Sequence, residues 1–519
     1  MRSFRLMALL AMCLMLLAAP VQAKTTITFW HGMGGELGEI TDEMIKAVAA
    51  KGGVIGLSSH AFLCHHELGV QPTLEDEAMT AAIAAFRAKQ HPNLIQIFEV
   101  GTASMMAAKG AIRPVYEIME AAGTPVDTSK LLGSVASYYS STDGKLIAMP
   151  FNASTTVLYY NKDAVKKAGG DPDHFPTTWP EVAELAKKIK ESGACKYGLT
   201  SGWQSWVQLE SFSAWHNVPF ATNNNGYDGL DTKLLFNSPL HVKHIDFLSK
   251  LQKDGVMVYV GRKSEAINAF TSGEAGILMN SSGSYAAVKA GAKFQWGVAL
   301  LPYWPDVKGA PQNTVIGGAA IWAMAGHSKD AEKGAAAFLN YLLKPEVQAR
   351  FHQLTGYVPV TLEGYELTKQ QGFYDKNPGT DIAVKALSDK KPTINSLGLR
   401  LGNFVQIRNI IDEELEAVWA GKKTAKQALD AAVERGNAEL ARFAKANKKE
   451  TVIRSTKGGG PPGLPPFPPG RLSRPFRRKG RPQPAQGAAM QDGRYAFRGK
   501  KHLLLPLLFL LPQLAITVV

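Results

Sequence analysis

Short apolar runs alternate with longer amphipathic stretches over most of the chain, and this alternation predicts its secondary structure. The apolar runs are bounded by turn-forming residues, which is typical of buried strands. The runs are 25–31, 93–101, 145–150, 155–161, 273–280, 294–302 and 314–324. From about Lys329 to the amphipathic segment 412–445, the pattern predicts mostly helix. Strands and helices that alternate at this length predict an α/β fold with mainly parallel sheets.

Two helices between the strands have clear boundary signals. In 177–193, Thr178 is placed to cap the first turn, Glu181 completes a capping box and Gly193 ends the helix. The segment 238–255 repeats this arrangement, with serine at the cap, proline in the first turn and glycine at the end.

The first 23 residues have the pattern of an export signal. Arg2 and Arg5 form a short basic region, 6–19 is almost wholly apolar, and 21–23 presents small residues at the cleavage positions. The apolar run is short for a membrane span. We therefore expect cleavage after Ala23 and a mature protein in the periplasm.

Residues 449–519 differ in composition from the body of the chain. Nine prolines fall between Pro461 and Pro484, among glycines and arginines, so 449–489 is expected to be a disordered linker. The segment 490–519 ends in an apolar run at the short limit of a membrane span. We expect it to be a tail that can tether the chain to a membrane.

The formal net charge of +14 comes almost entirely from the two ends. Residues 451–519 hold twelve Lys and Arg against one acidic residue, and 24–450 is nearly neutral. Binding to nucleic acid needs a clustered basic excess, which this body lacks, so no nucleic-acid partner is expected. A chain of 519 residues with a globular composition is expected to form two or three domains.

No catalytic pattern is recognisable in the chain. It contains no GxSxG elbow, HExxH motif, Walker loop or paired CxxC. The Cys64-His65-His66 group with His60 lacks a second ligand pair at zinc spacing, so no metal and no cofactor are expected. Cys64 and Cys195 can pair after export, and two free buried thiols are the equal alternative. The chain is therefore not expected to be an enzyme.

Four features suggest a binding site for a small anion. The hydroxyl-rich turn 281–284 suits an anion, and the glycines of 316–318 permit close approach of a ligand to the backbone. Trp203 and Trp206 suit the walls of a pocket, and Arg400 offers paired donors to phosphate or carboxylate. Each feature also has an ordinary structural interpretation: a polar turn, close strand packing, core tryptophans and an internal salt bridge.

Several longer segments of the body carry a family pattern. The most specific are TSGWQSW and GLRLGN, while FWH near the start and LEAVWAGKKT in the C-terminal helix are more widespread. Other segments are IFEVGTASMMAAKGAIRPVYE, PFNASTTVLYYNKDAVKKAG, APQNTVIGGAAIWAM, TGYVPVT and QGFYDKNPGTD. Together they resemble the sn-glycerol-3-phosphate-binding proteins of bacterial ABC importers, over 24–40 and 77–448.

The resemblance implies a two-lobed, Venus-flytrap α/β fold with the ligand in a cleft between lobes joined by crossing strands. It divides the body into about 24–153 plus 283–330 and 154–282 plus 331–448. The implied function is capture of sn-glycerol-3-phosphate, or of glycerophosphodiesters, in the periplasm by a monomer. The implied partners are the importer's permease subunits in the inner membrane.

Eight ligand contacts are implied by matching positions: an acceptor for the glycerol hydroxyls, donors to the ligand, aromatic walls and a phosphate-binding pair. In that order they are Glu99; Ser154, Ser281 and the Gly318 backbone; Trp203 and Trp206; Tyr357 and Arg400.

Two segments depart from the family pattern. Residues 40–76 resemble part of a membrane-dipeptidase-type zinc peptidase and lack the ligand-contacting tyrosine that the family has in this interval. Thr41 could still cap a helix that stops at Gly52, and GGVIGL could still form a strand. Residues 490–519 resemble the start of the partner permease.

Two alternative functions follow from these observations. A dipeptidase-like metallohydrolase rests on 40–76 alone and requires bound metal. A binding protein for another sugar or oligosaccharide needs no phosphate partner, so Arg400 distinguishes that alternative.

Overall fold

The computed structural model of the chain describes residues 25–51, 55–61, 74–108 and 110–448. The expected signal peptide 1–23, linker 449–489 and tail 490–519 lie outside these residues, as does the Cys64-His65-His66 group. None of the helices in these four ranges combines the length and apolar character that crossing a membrane requires. Cys195 is buried and has no disulfide partner among the described residues.

The strands are short except for two in the middle of the fold. They are β1 (Thr25–His31), β2 (Ile55–Ala61), β3 (Leu94–Phe98), β4 (Ile112–Arg113), β5 (Met149–Asn161), β6 (Tyr197–Ser201), β7 (Met257–Val258), β8 (Ala275–Ser281), β9 (Trp296–Ala299) and β10 (Ile316–Met324).

The helices lie between these strands and dominate the C-terminal part. They are α1 (Gly35–Lys51), α2 (Leu74–Arg87), α3 (Thr102–Ala107), α4 (Val115–Ala121), α5 (Gly133–Tyr138), α6 (Lys162–Lys167), α7 (Trp179–Glu191), α8 (Phe212–Trp215), α9 (Pro239–Lys253), α10 (Glu265–Thr271), α11 (Tyr285–Gly291), α12 (Lys329–Leu342), α13 (Pro345–Thr355), α14 (Leu362–Gln370), α15 (Phe373–Lys376), α16 (Ile382–Ser388), α17 (Phe404–Trp419) and α18 (Ala425–Asn447).

The strands are joined by hydrogen bonds in the order β2-β1-β3-β10-β5-β8-β6-β7, with β4 beside β10 and β9 beside β5. Pairs at both ends of this order, such as β1 with β2 and β6 with β7, are parallel. The pairs that involve β5 or β10 are antiparallel. The expectation of mainly parallel sheets is therefore wrong at the centre, where β5 and β10 run against their neighbours.

The long strand β5 crosses between the two halves of the fold. All 13 of its residues are buried; its first part pairs with β10 and its second part with β8. At the crossing, Thr155 Oγ1 donates to the Val315 carbonyl over 2.9 Å, and Thr156 Oγ1 lies 3.3 Å from Thr314 Oγ1. These contacts give hydrogen-bond partners to polar groups that would otherwise be buried without them.

Apolar residues form two cores, and residues of β5 belong to both. Residues such as Phe29 and Trp322 belong to the first core, and Leu199, Phe212 and Phe404 belong to the second. Burial of these large side chains removes apolar surface from water, which is the main favourable term in folding.

This packing changes the expected division of the chain into lobes. The segment 331–387 contributes to the first core, although the sequence had placed it in the second lobe. The reason is that α12 follows β10 directly and packs against β1. Conversely, Leu301, Trp304 and Val315 belong to the second core, although 283–330 had been placed in the first lobe.

The described residues of the atypical segment 40–76 form part of α1, the strand β2 at the end of the strand order, and the start of α2. In β2, the residues from Ile55 to Ala61 pair in parallel with β1 along its full length. The expectation that Thr41 caps a helix is wrong, because Thr41 lies inside α1, which begins six residues earlier at Gly35. Instead, Thr41 Oγ1 donates to the Leu37 carbonyl within the helix over 2.8 Å.

Candidate functional site

A cleft of about 190 Å³ lies beside the antiparallel strands β5 and β10, in the part where Ser154 pairs with Gly317. Its lining comes from both halves of the fold and mixes aromatic rings, hydroxyls, glycine backbone and two opposite charges. The lining residues are Leu37, Phe98, Glu99, Ser154, Trp203, Trp206, Ser264, Ile267, Ser281, Gly283, Ser284, Ala287, Gly317, Gly318, Tyr357 and Arg408.

Seven of the eight residues implied by the resemblance line this cleft, and Arg400 does not. The seven lie at Glu99, Ser154, Trp203, Trp206, Ser281, Gly318 and Tyr357. They come from positions up to 258 residues apart in the sequence, so the fold is what brings them together.

Two adjacent glycines on β10 form one wall of the cleft. Gly318 has φ of +90°, and a side chain there would place Cβ 1.9 Å from the Asn152 carbonyl oxygen on β5. At Gly317, a Cβ would lie 2.3 Å from Cζ2 of Trp206. The backbone therefore excludes a side chain at Gly318, whereas a side chain at Gly317 would force the tryptophan that packs on it to move.

The two tryptophans lie on an irregular segment that follows β6. Trp203 has φ of +49°, a left-handed conformation that is uncommon for a large side chain. The chain then forms a turn of π-helix, Trp206–Ser211, and π-helical turns occur frequently at functional sites. Trp206 is buried and its Nε1 donates to the Ile316 carbonyl over 3.4 Å, whereas Trp203 is only partly buried. Both sequence interpretations thus apply: Trp206 belongs to the second core and also faces the cleft.

The hydroxyl groups of the cleft are held in different ways. Ser154 on β5 is paired with Gly317 on β10. Ser281 Oγ accepts from the Gly283 amide over 3.1 Å and so begins a short 3-10 turn. The Tyr357 ring stacks on Phe351, with ring centroids 5.8 Å apart, and packs over Gly283.

The charged residue of the cleft that sequence reasoning missed is Arg408, on α17. Its Nη2 donates to Glu99 Oε1 over 2.6 Å and to Glu210 Oε2 over 2.7 Å, and its Nε donates to Glu210 Oε1 over 2.7 Å. The side chains of Glu99, Glu210 and Arg408 are 5%, 2% and 11% exposed. Removing such charges from water is compensated only by close pairing, which fixes the plane of the guanidinium group.

Arg400 lies outside the cleft lining and contacts the end of α5 and the ring of Tyr227. Its Nη2 donates to the carbonyls of Tyr138 over 3.0 Å and Ser140 over 2.9 Å, at the C-terminal end of α5. Its guanidinium lies 4.2 Å from the centre of the Tyr227 ring. Arg400 therefore satisfies helix-end carbonyls and stacks on an aromatic ring, which differs from the internal salt bridge considered from the sequence.

No group of three or more metal-ligating side chains lies within the four described ranges. The cleft contains one carboxylate, Glu99, and it is paired with Arg408. The donors that line the cleft therefore suit an anionic, hydroxyl-bearing organic ligand.

The comparisons with known proteins agree with this chemistry. Residues 67–379 match the family model described as bacterial extracellular solute-binding protein. The chain is 50% identical over 436 residues to the sn-glycerol-3-phosphate-binding periplasmic protein UgpB of Escherichia coli O6:K15:H31, which covers 83% of this chain and 96% of that protein. The corresponding protein of Salmonella paratyphi A is 50% identical over 427 residues, or 82% of this chain and 95% of that protein.

This chain belongs to the bacterial extracellular solute-binding proteins.

Solved structures show the same two-lobed fold for this solute-binding protein. UgpB from Mycobacterium tuberculosis, in complex with glycerophosphocholine, matches with a TM-score of 0.66 and 21% identity, covering 80% of this chain and 98% of that one. The cyclic alpha-maltosyl-1,6-maltose binding protein from Arthrobacter globiformis matches with a TM-score of 0.64 and 21% identity, covering 81% and 100%. The expected Venus-flytrap architecture is therefore confirmed, and the crossing strands β5 and β10 are its connections.

In this solute-binding protein, the sequence contained one signal that could have pointed to Arg408. Phe404, Ile407, Ile411 and Leu415 form the buried face of α17, and Arg408 interrupts the edge of that apolar face with a charge. A charged residue among buried positions needs a partner, and both partners here are distant in sequence. Glu210 carries no comparable signal, because the π-helical turn that directs it inward breaks the regular periodicity.

Proposed function

We propose that this chain is the periplasmic solute-binding component of an ABC importer and that it captures sn-glycerol-3-phosphate. The observation that carries the proposal is the cleft itself, in which an oriented arginine faces hydroxyls, glycine backbone and two tryptophans. The 50% identity to relatives named for this ligand supports the choice of ligand. Glycerophosphodiesters are the wider ligand class.

Arg408, rather than Arg400, is proposed to hold the phosphate. Glu210 fixes the plane of its guanidinium group, and a phosphate oxygen would replace Glu99 as an acceptor of Nη2. Glu99 would then accept hydrogen bonds from the glycerol hydroxyls. The remaining proposed contacts are donors from Ser154, Ser281, Tyr357 and the Gly318 backbone, and the apolar walls of Trp203 and Trp206.

The proposed cellular arrangement follows from the ends of the chain. Cleavage after Ala23 would release a periplasmic protein, and 490–519 would hold it close to the inner membrane. The lobes would be close to 25–153 with 316–390 and 154–315 with 391–448, with Ala266, Phe270 and Leu278 of the second lobe packing into the first core. The chain would act as a monomer, without a cofactor and without enzymatic activity, and deliver its ligand to the permease subunits.

The experiment is a titration of the full chain with sn-glycerol-3-phosphate, followed by tryptophan fluorescence and calorimetry. Trp203 and Trp206 line the cleft, so binding is expected to change their emission. Glycerol and inorganic phosphate are the matched controls, since each lacks half of the ligand, and both should bind much more weakly. Failure of sn-glycerol-3-phosphate to bind at any concentration up to millimolar would overturn the proposal.

The same preparation tests the two alternatives. Maltose and other oligosaccharides should not bind, because Arg408 and Glu99 would then stay paired inside a cleft without a phosphate. Dipeptides should not be hydrolysed in the presence of added zinc, because the dipeptidase-like interpretation rests on 40–76 alone.

A further inference from the structure

A second layer of charge lies behind Arg408 along α17. Arg408, Asp412 and Glu416 recur every four residues and so lie on the same face of the helix. Glu416 accepts hydrogen bonds from Arg262 Nε over 2.8 Å and from Arg262 Nη2 over 2.6 Å. It also accepts from the Tyr259 hydroxyl over 2.7 Å. Arg262 thus has a carboxylate partner of its own, as Arg408 does.

Asp412 lies between these two ion pairs and is incompletely paired. Its Oδ1 is shielded from solvent and accepts no hydrogen bond from the described residues. Arg262, Arg408 and the Ser205 backbone amide favour its charged form, while burial and the Glu210 carboxylate oppose it. Burial is the largest effect and raises the pKa of Asp412 to about 7.

The groups that face Asp412 come from three elements. Arg408 and Glu416 lie on its own helix, Glu210 on the π-helical turn, and Arg262 and Tyr259 on the connection between β7 and α10. Tyr259 stays neutral, because its burial and the Glu416 carboxylate raise its pKa. With Glu99, the group holds four carboxyls against two arginines, so ionisation of every carboxyl leaves an excess of negative charge.

An anionic ligand would add to this excess. A phosphate next to Arg408 brings at least one further negative charge into a region largely shielded from water. Of the four carboxyls, Asp412 can most easily become neutral. One of its oxygens accepts no hydrogen bond from the described residues, and its protonation breaks none of the ion pairs described above.

We propose that Asp412 takes up a proton when the cleft captures its anionic ligand and releases it when the ligand leaves. The proton comes from the solvent, and no covalent bond other than the O–H bond of the carboxyl changes. Asp412 is therefore a positioning residue that acts through Arg408 and sets the pH range of tight capture. This inference rests on the proposed function.

The test measures the Kd of sn-glycerol-3-phosphate for the full chain between pH 7 and pH 9. In this range the ligand is almost fully dianionic, because its second pKa is near 6. If the ligand raises the pKa of Asp412 by one unit, linkage predicts that affinity falls about fivefold over the range. Calorimetry in two buffers of different ionisation enthalpy should show uptake of part of a proton near pH 7.5.

Two variants separate the role of Asp412 from a general effect on the fold. Asp412→Asn mimics the neutral form, so its affinity should be independent of pH in this range, and it should bind without proton uptake. Glu413→Gln is the matched control: it is the next residue on α17, is about half exposed and pairs with Arg435, so it should keep the wild-type pH dependence.

The outcomes are distinct. A wild-type Kd that does not change between pH 7 and pH 9, or an Asp412→Asn variant with the wild-type slope, would overturn the inference while leaving the proposed function intact. Absence of binding at pH 7 would overturn the proposed function, and this inference with it. If Asp412→Asn does not fold, the proton uptake of the wild-type chain decides alone.

Discussion

Arg408 on α17 and Glu99 on the turn after β3 are joined by a hydrogen bond of 2.6 Å, although 309 positions separate them in the sequence. Ile97 on β3 belongs to the first core, whereas Val100 and most of the apolar face of α17 belong to the second, so this pair lies where the two cores meet. A ligand phosphate must share or replace this contact.

Arg408→Ala should abolish tight capture of sn-glycerol-3-phosphate. Leaving a buried carboxylate and the ligand phosphate without their partner costs on the order of 2–5 kcal/mol, or a loss of affinity of at least about thirtyfold. Arg408→Lys should recover only part of this loss, because an ammonium group cannot pair with Glu210 and the phosphate in one plane. Calorimetric titration measures both, and wild-type affinity in Arg408→Ala would exclude the proposed role.

Arg400→Ala should instead reduce stability. The substitution removes donors from two carbonyls at the end of α5 and the stacking on Tyr227, which together contribute about 1–3 kcal/mol to the free energy of unfolding. Urea unfolding measures the loss. Affinity for sn-glycerol-3-phosphate, measured well below the melting temperature, should change less than about threefold. A large loss of affinity at unchanged stability would restore Arg400 to the ligand site.

Gly317→Ala should weaken binding without unfolding the protein. The added methyl group would collide with the Trp206 ring, which must move into or away from the cleft. Overpacking of this kind costs roughly 1–3 kcal/mol. Gly133→Ala is the matched control, because its Cβ would meet open space. Affinity and tryptophan emission should change in the first variant and not in the second; equal behaviour would show that Trp206 does not form a wall of the site.

Stability should fall in acid because four buried histidines are held neutral. Burial lowers the pKa of His216 and His352 to about 4 and of His241 to about 3, and lowers that of His244 well below its usual value. In the unfolded chain the same residues take up protons below about pH 6.5. Each therefore contributes stability that is fully present above pH 6.5 and declines by up to about 1.4 kcal/mol per pH unit below it.

Urea unfolding at pH 7.5, 6 and 5 measures this decline. Asp412 acts in the opposite direction, because its raised pKa stabilises the folded state as pH falls from 7, and it offsets about one histidine. A free energy of unfolding that stays constant from pH 7.5 to pH 5 would contradict the prediction.

Local patterns in the sequence predicted most of the regular structure. β1 spans Thr25–His31 as expected, and Thr178 with Glu181 forms the capping box of α7. The exceptions are elements whose bounds depend on contacts with distant parts of the chain. The runs 145–150 and 155–161 are parts of one strand, β5, because pairing with two different partners continues through the polar residues between them. The predicted helix 412–445 is divided at Gly421, which has φ of +69°.

The residues of the candidate site were predicted almost entirely through the family resemblance. The choice between Arg400 and Arg408 shows the limit of prediction from local sequence. Arg400 and Arg408 lie in the same matching stretch, and local composition favoured Arg400 because glycine and apolar residues surround it. Only the path of the chain after Asn403, where α17 begins, directs Arg408 toward Glu99 and Glu210. Pairing over distances of about 200 and 300 residues is invisible in a local pattern.

The strands that connect the lobes also carry part of the cleft: Ser154 lies on β5, and Gly317 and Gly318 lie on β10. A rotation of one lobe about these strands displaces each atom in proportion to its distance from them. Atoms that line the cleft lie near this axis and shift least, while the rims of the lobes travel furthest. A ligand held in the cleft would therefore lie beside the axis of such a rotation, and a small displacement there would correspond to a large displacement at the far surface of the protein.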